Sequence, residues 1–340
     1  MKSANVGRPP RTDDPRRTLE LAANALRDAR RVLVLMQGHP DGDACGSSLG
    51  LALALEEMGK SVTMHCPTPV PDYLRFLAGL DRLVPSLDEN ARWDATVVCD
   101  VGHSSRIGMP LPERTRLGAV VNIDHHLTSD DFGDVNFVDA GAAAVGVMIH
   151  RLLGELGHRL SRDVATALYV SVLTDTGSFR YSSTDPEALR TAAALVEAGA
   201  DPWDVSSNVY EQQPVERLRL LREVLGTLDL SANGRFSSIV ITQKMLQLAG
   251  ADRSISDGFV NFVRGLRGVE VAAQFSEQEG GHGQAWSVSL RSRGRVNVAA
   301  VAERFGGGGH HNAAGLRISG AVDEARAAVA AEVLRQLDGA

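Results

Sequence analysis

Four short segments hold residue types that can do chemistry together. His39-Pro-Asp-Gly-Asp43 places three hard ligands, His39, Asp41 and Asp43, at spacings of two. Thr96-Val-Val-Cys-Asp100 ends in Asp100, and Val120-Val-Asn-Ile runs directly into Asp124-His125-His126. Asp175 follows in Leu173-Thr-Asp-Thr-Gly177. Carboxylates crowded into one cleft repel one another, and bound cations relieve that repulsion. Oxygen donors mixed with imidazoles suit Mn2+, and suit Mg2+ less well. The set is large enough for two ions about 3.5–4 Å apart, an arrangement that serves phosphoryl displacement.

Each of these residues alone has an ordinary explanation. An Asp before Gly is usually a turn residue, and a single His is more often a hydrogen-bonded surface group. Turn formation gives no reason for Asp to follow one apolar strand after another. The short branched runs Val32–Met36, Ser61–His65, Ala95–Val101 and Ala119–Ile123 read as strands. Helical patterns at Thr18–Arg30 and Leu49–Met58 lie among them. This order predicts an α/β fold with a doubly wound parallel sheet, whose site lies at the carboxyl ends of the strands.

Further helices are expected at Ala143–Leu156, Ser161–Leu173 and Asp185–Ala198, with Pro202 as an interruption. Val215–Leu228 reads as a linking helix. Strand-like segments at Phe236–Thr242, Val269–Ser276 and Ser287–Arg291, with helices at Ser256–Leu266 and Asn297–Phe305, predict a second, smaller α/β domain. The expected organisation is a disordered tail over 1–17, a catalytic domain over 18–204, a linker over 205–230 and a substrate-binding domain over 231–340.

In that second part, Gly306–Gly309 leaves N–H groups able to cradle an anion, and His310 adds a donor. Ala313-Ala-Gly315 suggests that the loop is packed. Arg291 could clamp a phosphate bidentately, with Arg264 and Arg267 as lesser candidates. In the first part, Arg180 and His103 lie close in sequence to Asp175 and Asp100, so both are candidates for the cleft. Phe179 and Tyr181 are better explained by core packing than by base stacking.

Composition narrows the substrate. The 340 residues carry 42 acidic against 35 Lys and Arg side chains, a net charge of −7. That balance argues against extended duplex DNA binding. An aromatic content of 5% argues against a long single-strand track. No apolar run of about 18 residues is present, so no membrane span is expected. The three cysteines form no CxxC pair and read as reduced thiols of a cytoplasmic protein.

The four acidic and histidine segments resemble the motifs of the DHH phosphoesterase superfamily. Phe305-Gly-Gly-Gly-Gly-His310 with Ala313-Ala-Gly315 is similar to the glycine motif of the DHHA1 domain. The two-domain length most resembles the bacterial nanoRNase/pAp phosphatase branch, the NrnA type. The resemblance implies one ion held by His39, Asp41 and Asp100, and a second held by Asp43, Asp100, His125 and Asp175, with Asp100 bridging. The ions would be Mn2+, with Mg2+ or Co2+ as alternatives. His126 would face the scissile phosphate and Asp124 would orient it. Gly307, Gly308, Gly309, His310, Arg291, His103 and Arg180 would bind substrate. The implied substrates are short oligoribonucleotides, pAp, and linear or cyclic dinucleotides such as pApA and c-di-AMP, and the implied assembly is a homodimer. Three alternatives stand beside this: a RecJ-like single-strand exonuclease, an inorganic pyrophosphatase, and a noncatalytic nucleotide sensor.

Overall fold

The computed structural model describes residues 14–126 and 128–338. Most of the expected tail, 1–13, therefore lies outside the described residues. The chain divides into two compact units, the first ending at Gln212 and the second beginning at Gln213.

The first unit runs α1 (Pro15–Arg27), β1 (Arg31–Leu35), α2 (Gly42–Glu57), β2 (Ser61–His65), β3 (Ala95–Cys99), α3 (Arg114–Leu117), β4 (Ala119–Asp124) and β5 (Val135–Val138). It continues with α4 (Val145–Glu155), α5 (Arg162–Asp175), α6 (Pro186–Glu197) and α7 (Pro202–Tyr210). The sheet order is β2-β1-β3-β4-β5, with every pairing parallel. The chain leaves β1 toward one edge and returns at β3 toward the other. That reversal creates the crevice in which doubly wound folds bind ligands.

Two prolines act differently from expectation. Pro15 opens α1 behind the N-cap Asp14, whose side chain accepts from the Arg16 N–H, so 15–17 are helix and not tail. Pro202 does not interrupt the chain but starts α7, with Asp201 accepting from the Trp203 and Asp204 N–H groups. In both, the proline is in the first helical turn, where no backbone donor is required.

Helix α2 is buried along most of its length, from Gly42 to Leu55. Its glycines at 42, 46 and 50 recur every four residues and so form one face. A Cβ at Gly46 would lie 2.4 Å from the Ala167 carbonyl oxygen, and one at Gly42 would lie 2.5 Å from Thr174 Oγ1. The same face at Gly50 would meet Leu168 at 2.6 Å. The absence of side chains is what lets α2 lie directly on α5.

The second unit runs α8 (Val215–Leu225), β6 (Asp229–Leu230), β7 (Phe236–Ile241), α9 (Gln243–Ala249), α10 (Phe259–Arg264), β8 (Val271–Glu277) and β9 (Ala285–Ser292). It ends with α11 (Val298–Glu303), β10 (Gly308–His310), β11 (Ala313–Ser319) and α12 (Val322–Asp338). Its sheet order is β10-β11-β9-β8-β7-β6, with only β7 and β8 parallel. Helix α8 buries Leu220 and Val224 in a core shared with Ile239 and Phe259, so it is packed structure and not a bare connection. The glycine run is also more ordered than a loop. Gly308–His310 pairs antiparallel with Ala313–Gly315, and a Cβ at Gly309 (φ +147°) would lie 2.5 Å from the Ala314 Cα.

Candidate metal centre

His125 stands at the centre of the first unit's site. Its Nδ1 lies 3.0 Å from the Ala142 carbonyl oxygen, which can only accept. Nδ1 therefore carries the proton and Nε2 presents a lone pair. That Nε2 lies 3.7 Å from Asp43 Oδ2, 3.9 Å from Asp100 Oδ1 and 3.7 Å from Asp175 Oδ2. These separations are too long for hydrogen bonds. Two ligands on one ion, each at roughly 2.1 Å, stand at most ~4.2 Å apart. All three pairs meet that limit, and the ligand atoms fall into two close groups, Asp43 with His125 and Asp175, and Asp100 with His125 and His126; such mixed oxygen and nitrogen donors fit a divalent cation.

Each carboxylate arrives by a different route. Asp43 lies in the first turn of α2 and is 2% exposed. Its Oδ2 accepts from the Val145 N–H at 2.9 Å, and its Oδ1 accepts from the Gly146 N–H at 3.3 Å and from Ser171 Oγ at 2.5 Å. Asp43 thus caps α4, whose own N-cap residue Ala144 has no side chain for the task. Asp100 lies just past β3 with φ +58°, a left-handed conformation rare outside glycine. Its N–H donates to the Ile123 carbonyl. Asp175 is the last residue of α5, so it comes from a helix C-terminus and not from a strand end.

Burial and mutual repulsion hold these acids toward the protonated form. Asp100 is pushed well above the usual carboxylate range, by desolvation first and then by the charges of Asp43, Asp41, Asp175 and Asp124. Asp43 is raised mainly by burial, although His125 and Ser171 oppose the shift. Asp175 is raised to about 7 by desolvation and the Asp43 charge. His125 moves up despite its own burial, because Asp43 and Asp175 face it. Anionic acids gathered this way need a cation.

His126 differs. Its Nδ1 lies 2.6 Å from Asp124 Oδ1. Desolvation would raise the fully buried Asp124, but the His126 hydrogen bond and charge outweigh it and hold the acid low. An anionic Asp124 makes Nδ1 the donor and leaves Nε2 with the lone pair. Nδ1 is also 3.7 Å from Asp100 Oδ1, but its proton is committed to Asp124.

His39 and Asp41 are exposed and join neither close group of ligand atoms found among the described residues. Asp41 caps α2, with Oδ1 accepting from the Ala44 N–H at 3.0 Å, and its charge bears on Asp43, Asp100 and Asp175. The buried place beside Asp100 belongs to Gln37, whose Nε2 donates to Asp100 Oδ2 at 3.1 Å. Sequence reading passed over Gln37, Ser171 and Val145. Ser171 had a signal, one helical turn before Asp175 on the same helix face. Gln37 had none.

The remaining candidates are distributed. His103 is exposed and lies 3.8 Å from Asp130 Oδ2 through Nδ1. Arg180 is exposed, and its Nε donates to the Gly177 carbonyl at 2.7 Å. In the second unit, Arg291 is opposite Ala313 on β11, and Ala313 is opposite His310 on β10. Arg291 and His310 thus occupy one cross-strand row at the glycine strand. The side chain of His310 lies outside what the structure describes. Gly307 has no room for a Cβ, which would lie 2.2 Å from the Gly315 carbonyl oxygen, whereas Gly308 faces open space.

The chain matches the model of the DHH family N-terminal domain over residues 31–172 and that of the DHHA1 domain over 240–335. It is 35% identical over 304 residues to the bifunctional oligoribonuclease and PAP phosphatase NrnA of Thermus thermophilus, covering 89% of each chain. It is 30% identical over 292 residues to NrnA of Bacillus subtilis, covering 84% of this chain and 89% of that one. The crystal structure of an exopolyphosphatase-related protein from Bacteroides fragilis superposes with a TM-score of 0.87 at 26% identity, covering 94% of this chain and 96% of that one. The chain belongs to the DHH/DHHA1 phosphoesterase family and to its NrnA branch.

Proposed function

We propose that this chain is a metal-dependent phosphoesterase that hydrolyses short oligoribonucleotides and pAp, the two activities for which its NrnA relatives are named. The observation that carries the proposal is the convergence of Asp43, Asp100 and Asp175 on His125 Nε2. Those four would hold one divalent ion. His39, Asp41 and Asp100 would hold another. Mn2+ suits this mixture of oxygen and nitrogen donors best. When bound, the ions would supply charge neutralisation and an acidified water.

The chain's own residues supply the rest. Asp124 holds the His126 ring through Nδ1, and Nε2 would face the scissile phosphate. In the second unit, the glycine strand, with Arg291 and His310, would grip the part of the substrate not being cleaved. Such a small grip favours substrates of a few nucleotides, among them pApA and c-di-AMP. A homodimer in the cytoplasm completes the proposal. Among the described residues no helix is long and apolar enough to cross a membrane.

The test is turnover by purified protein with Mn2+ on dinucleotide RNA, pAp, pApA, c-di-AMP, pyrophosphate and long single-stranded DNA. Hydrolysis of the dinucleotides and pAp, lost in Asp100→Ala, is expected. Faster turnover of pyrophosphate or of long DNA, or nucleotide binding with no turnover, would overturn the proposal.

A further inference from the structure

Gln37 is buried, with 6% of its surface exposed, and both ends of its amide are engaged. Nε2 donates to Asp100 Oδ2 at 3.1 Å, and Oε1 accepts from Arg106 Nη2 at 2.8 Å. A guanidinium has no acceptor atom, so it can bond only the amide oxygen. Arg106 therefore decides which way the amide faces: its nitrogen must point at Asp100. An unheld amide could turn its oxygen toward a cation. This one cannot do so while Arg106 is in place.

The two oxygens of Asp100 are consequently unequal. Oδ2 is held by Gln37, while Oδ1 is the atom nearest the two histidines, 3.9 Å from His125 Nε2 and 3.7 Å from His126 Nδ1. Arg106 is anchored independently of its side chain. Its carbonyl accepts from the Gly38 N–H at 2.7 Å, and Gly38 and Gly108 pack so closely that a Cβ on Gly38 would lie 2.8 Å from the Gly108 Cα.

We propose that Gln37 and Arg106 are a positioning pair that turns Asp100 Oδ1 into the metal centre while adding no ligand of their own. The inference rests on the reading of Asp100 as a metal ligand. Arg106 acts only through Gln37, so the two residues work in series.

The experiment is calorimetric titration of Mn2+ into the full-length protein, as wild type, Gln37→Ala, Arg106→Ala and the double variant. Each single variant should bind Mn2+ about 10- to 100-fold more weakly, the usual effect of losing a group that orients a ligand. The double variant should be no weaker than Gln37→Ala alone, because residues acting in series are not additive. Arg106→Lys should recover part of the loss. Metal-free melting temperatures of all the variants, with Arg106→Lys keeping a donor for the Gln37 oxygen, separate positioning from folding. Wild-type Mn2+ affinity in Arg106→Ala, or losses that add in the double variant, would overturn the proposal. A wild type that binds no Mn2+ would instead overturn the metal reading itself, and this inference with it.

Discussion

Ser171 Oγ donates to Asp43 Oδ1 at 2.5 Å across the contact between α2 and α5. The same hydroxyl accepts from the Gly146 N–H at 2.8 Å, so one serine joins α2, α4 and α5 at the metal centre. Both groups are buried, and Ser171 is fully so. Ser171→Ala removes a donor from a buried carboxylate and should cost about 1–3 kcal/mol. Urea denaturation of the metal-free protein measures it. A loss below about 0.5 kcal/mol would mean that the N–H groups of Val145 and Gly146 suffice.

The glycine face of α2 predicts a contrast between two substitutions of the same kind. Gly46→Ala gains helix propensity, worth about 1 kcal/mol. It also places a Cβ 2.4 Å from the Ala167 carbonyl oxygen and 2.8 Å from the Ser171 N. Both contacts are backbone, so the helices must part, and a net loss of roughly 1–3 kcal/mol is expected. Parting them also separates Asp43 from Asp175, so kcat/KM should fall with stability. Gly154→Ala, in α4 with nothing within 4 Å, should stabilise by about 0.5–1 kcal/mol. Equal effects at the two positions would refute the close-packing account.

The parallel sheet and the acids at its carboxyl edge were legible because each rests on a local pattern. Val97 and Ile123 sit in short buried runs, and Asp100 and Asp124 follow them directly. The partners of those acids were not legible. Val145 donates to Asp43 through a backbone N–H, which no residue type announces, and Gln37 reaches Asp100 from 63 positions away. His39 announces itself by its ligand chemistry, whereas Gln37, two positions earlier, does not. Strand β11 was read as a packed loop because Ala313-Ala-Gly315 carries little strand propensity. Pairing with β9 and β10 makes it a strand all the same.

Metal removal and pH should act together. Asp175 is raised from 3.8 to about 7, and Asp43, Asp100 and His125 are raised as well. A raised group binds its proton more tightly when folded. Its stabilisation is complete below the unfolded pKa and is lost as pH rises through the folded one. Metal-free protein should therefore lose stability between about pH 4 and pH 7. Asp124, which is lowered, acts in the opposite sense, but only below pH 4. Mn2+ at 100 times its Kd should restore about 2.7 kcal/mol at pH 7. Melting curves in EDTA and in Mn2+ across this range test both statements, and a metal-free stability that rises toward pH 7 would contradict them.

Thr176, fully buried directly after Asp175, holds an unusual turn. Gly177, Ser178 and Phe179 take φ values of +56°, +61° and +61°. Left-handed backbone costs roughly 1–2 kcal/mol for each residue other than glycine. Thr176 offsets that cost from several sides. Its Oγ1 accepts from the Phe179 N–H at 3.0 Å and donates to the Val172 carbonyl at 2.6 Å. Its carbonyl accepts from the Arg180 and Tyr181 N–H groups, both at 3.0 Å. Thr176→Val keeps the shape and removes only the hydroxyl, so the Phe179 N–H loses its partner at a cost of about 1–3 kcal/mol. Relaxation of the turn should displace the adjacent Asp175 and lower kcat/KM by up to about 100-fold, the effect of a misplacement near 1 Å. Thr176→Ser keeps the hydroxyl and should remain close to wild type in both measurements. If Thr176→Val lost stability but kept full kcat/KM, the turn would serve the fold alone and not the position of Asp175.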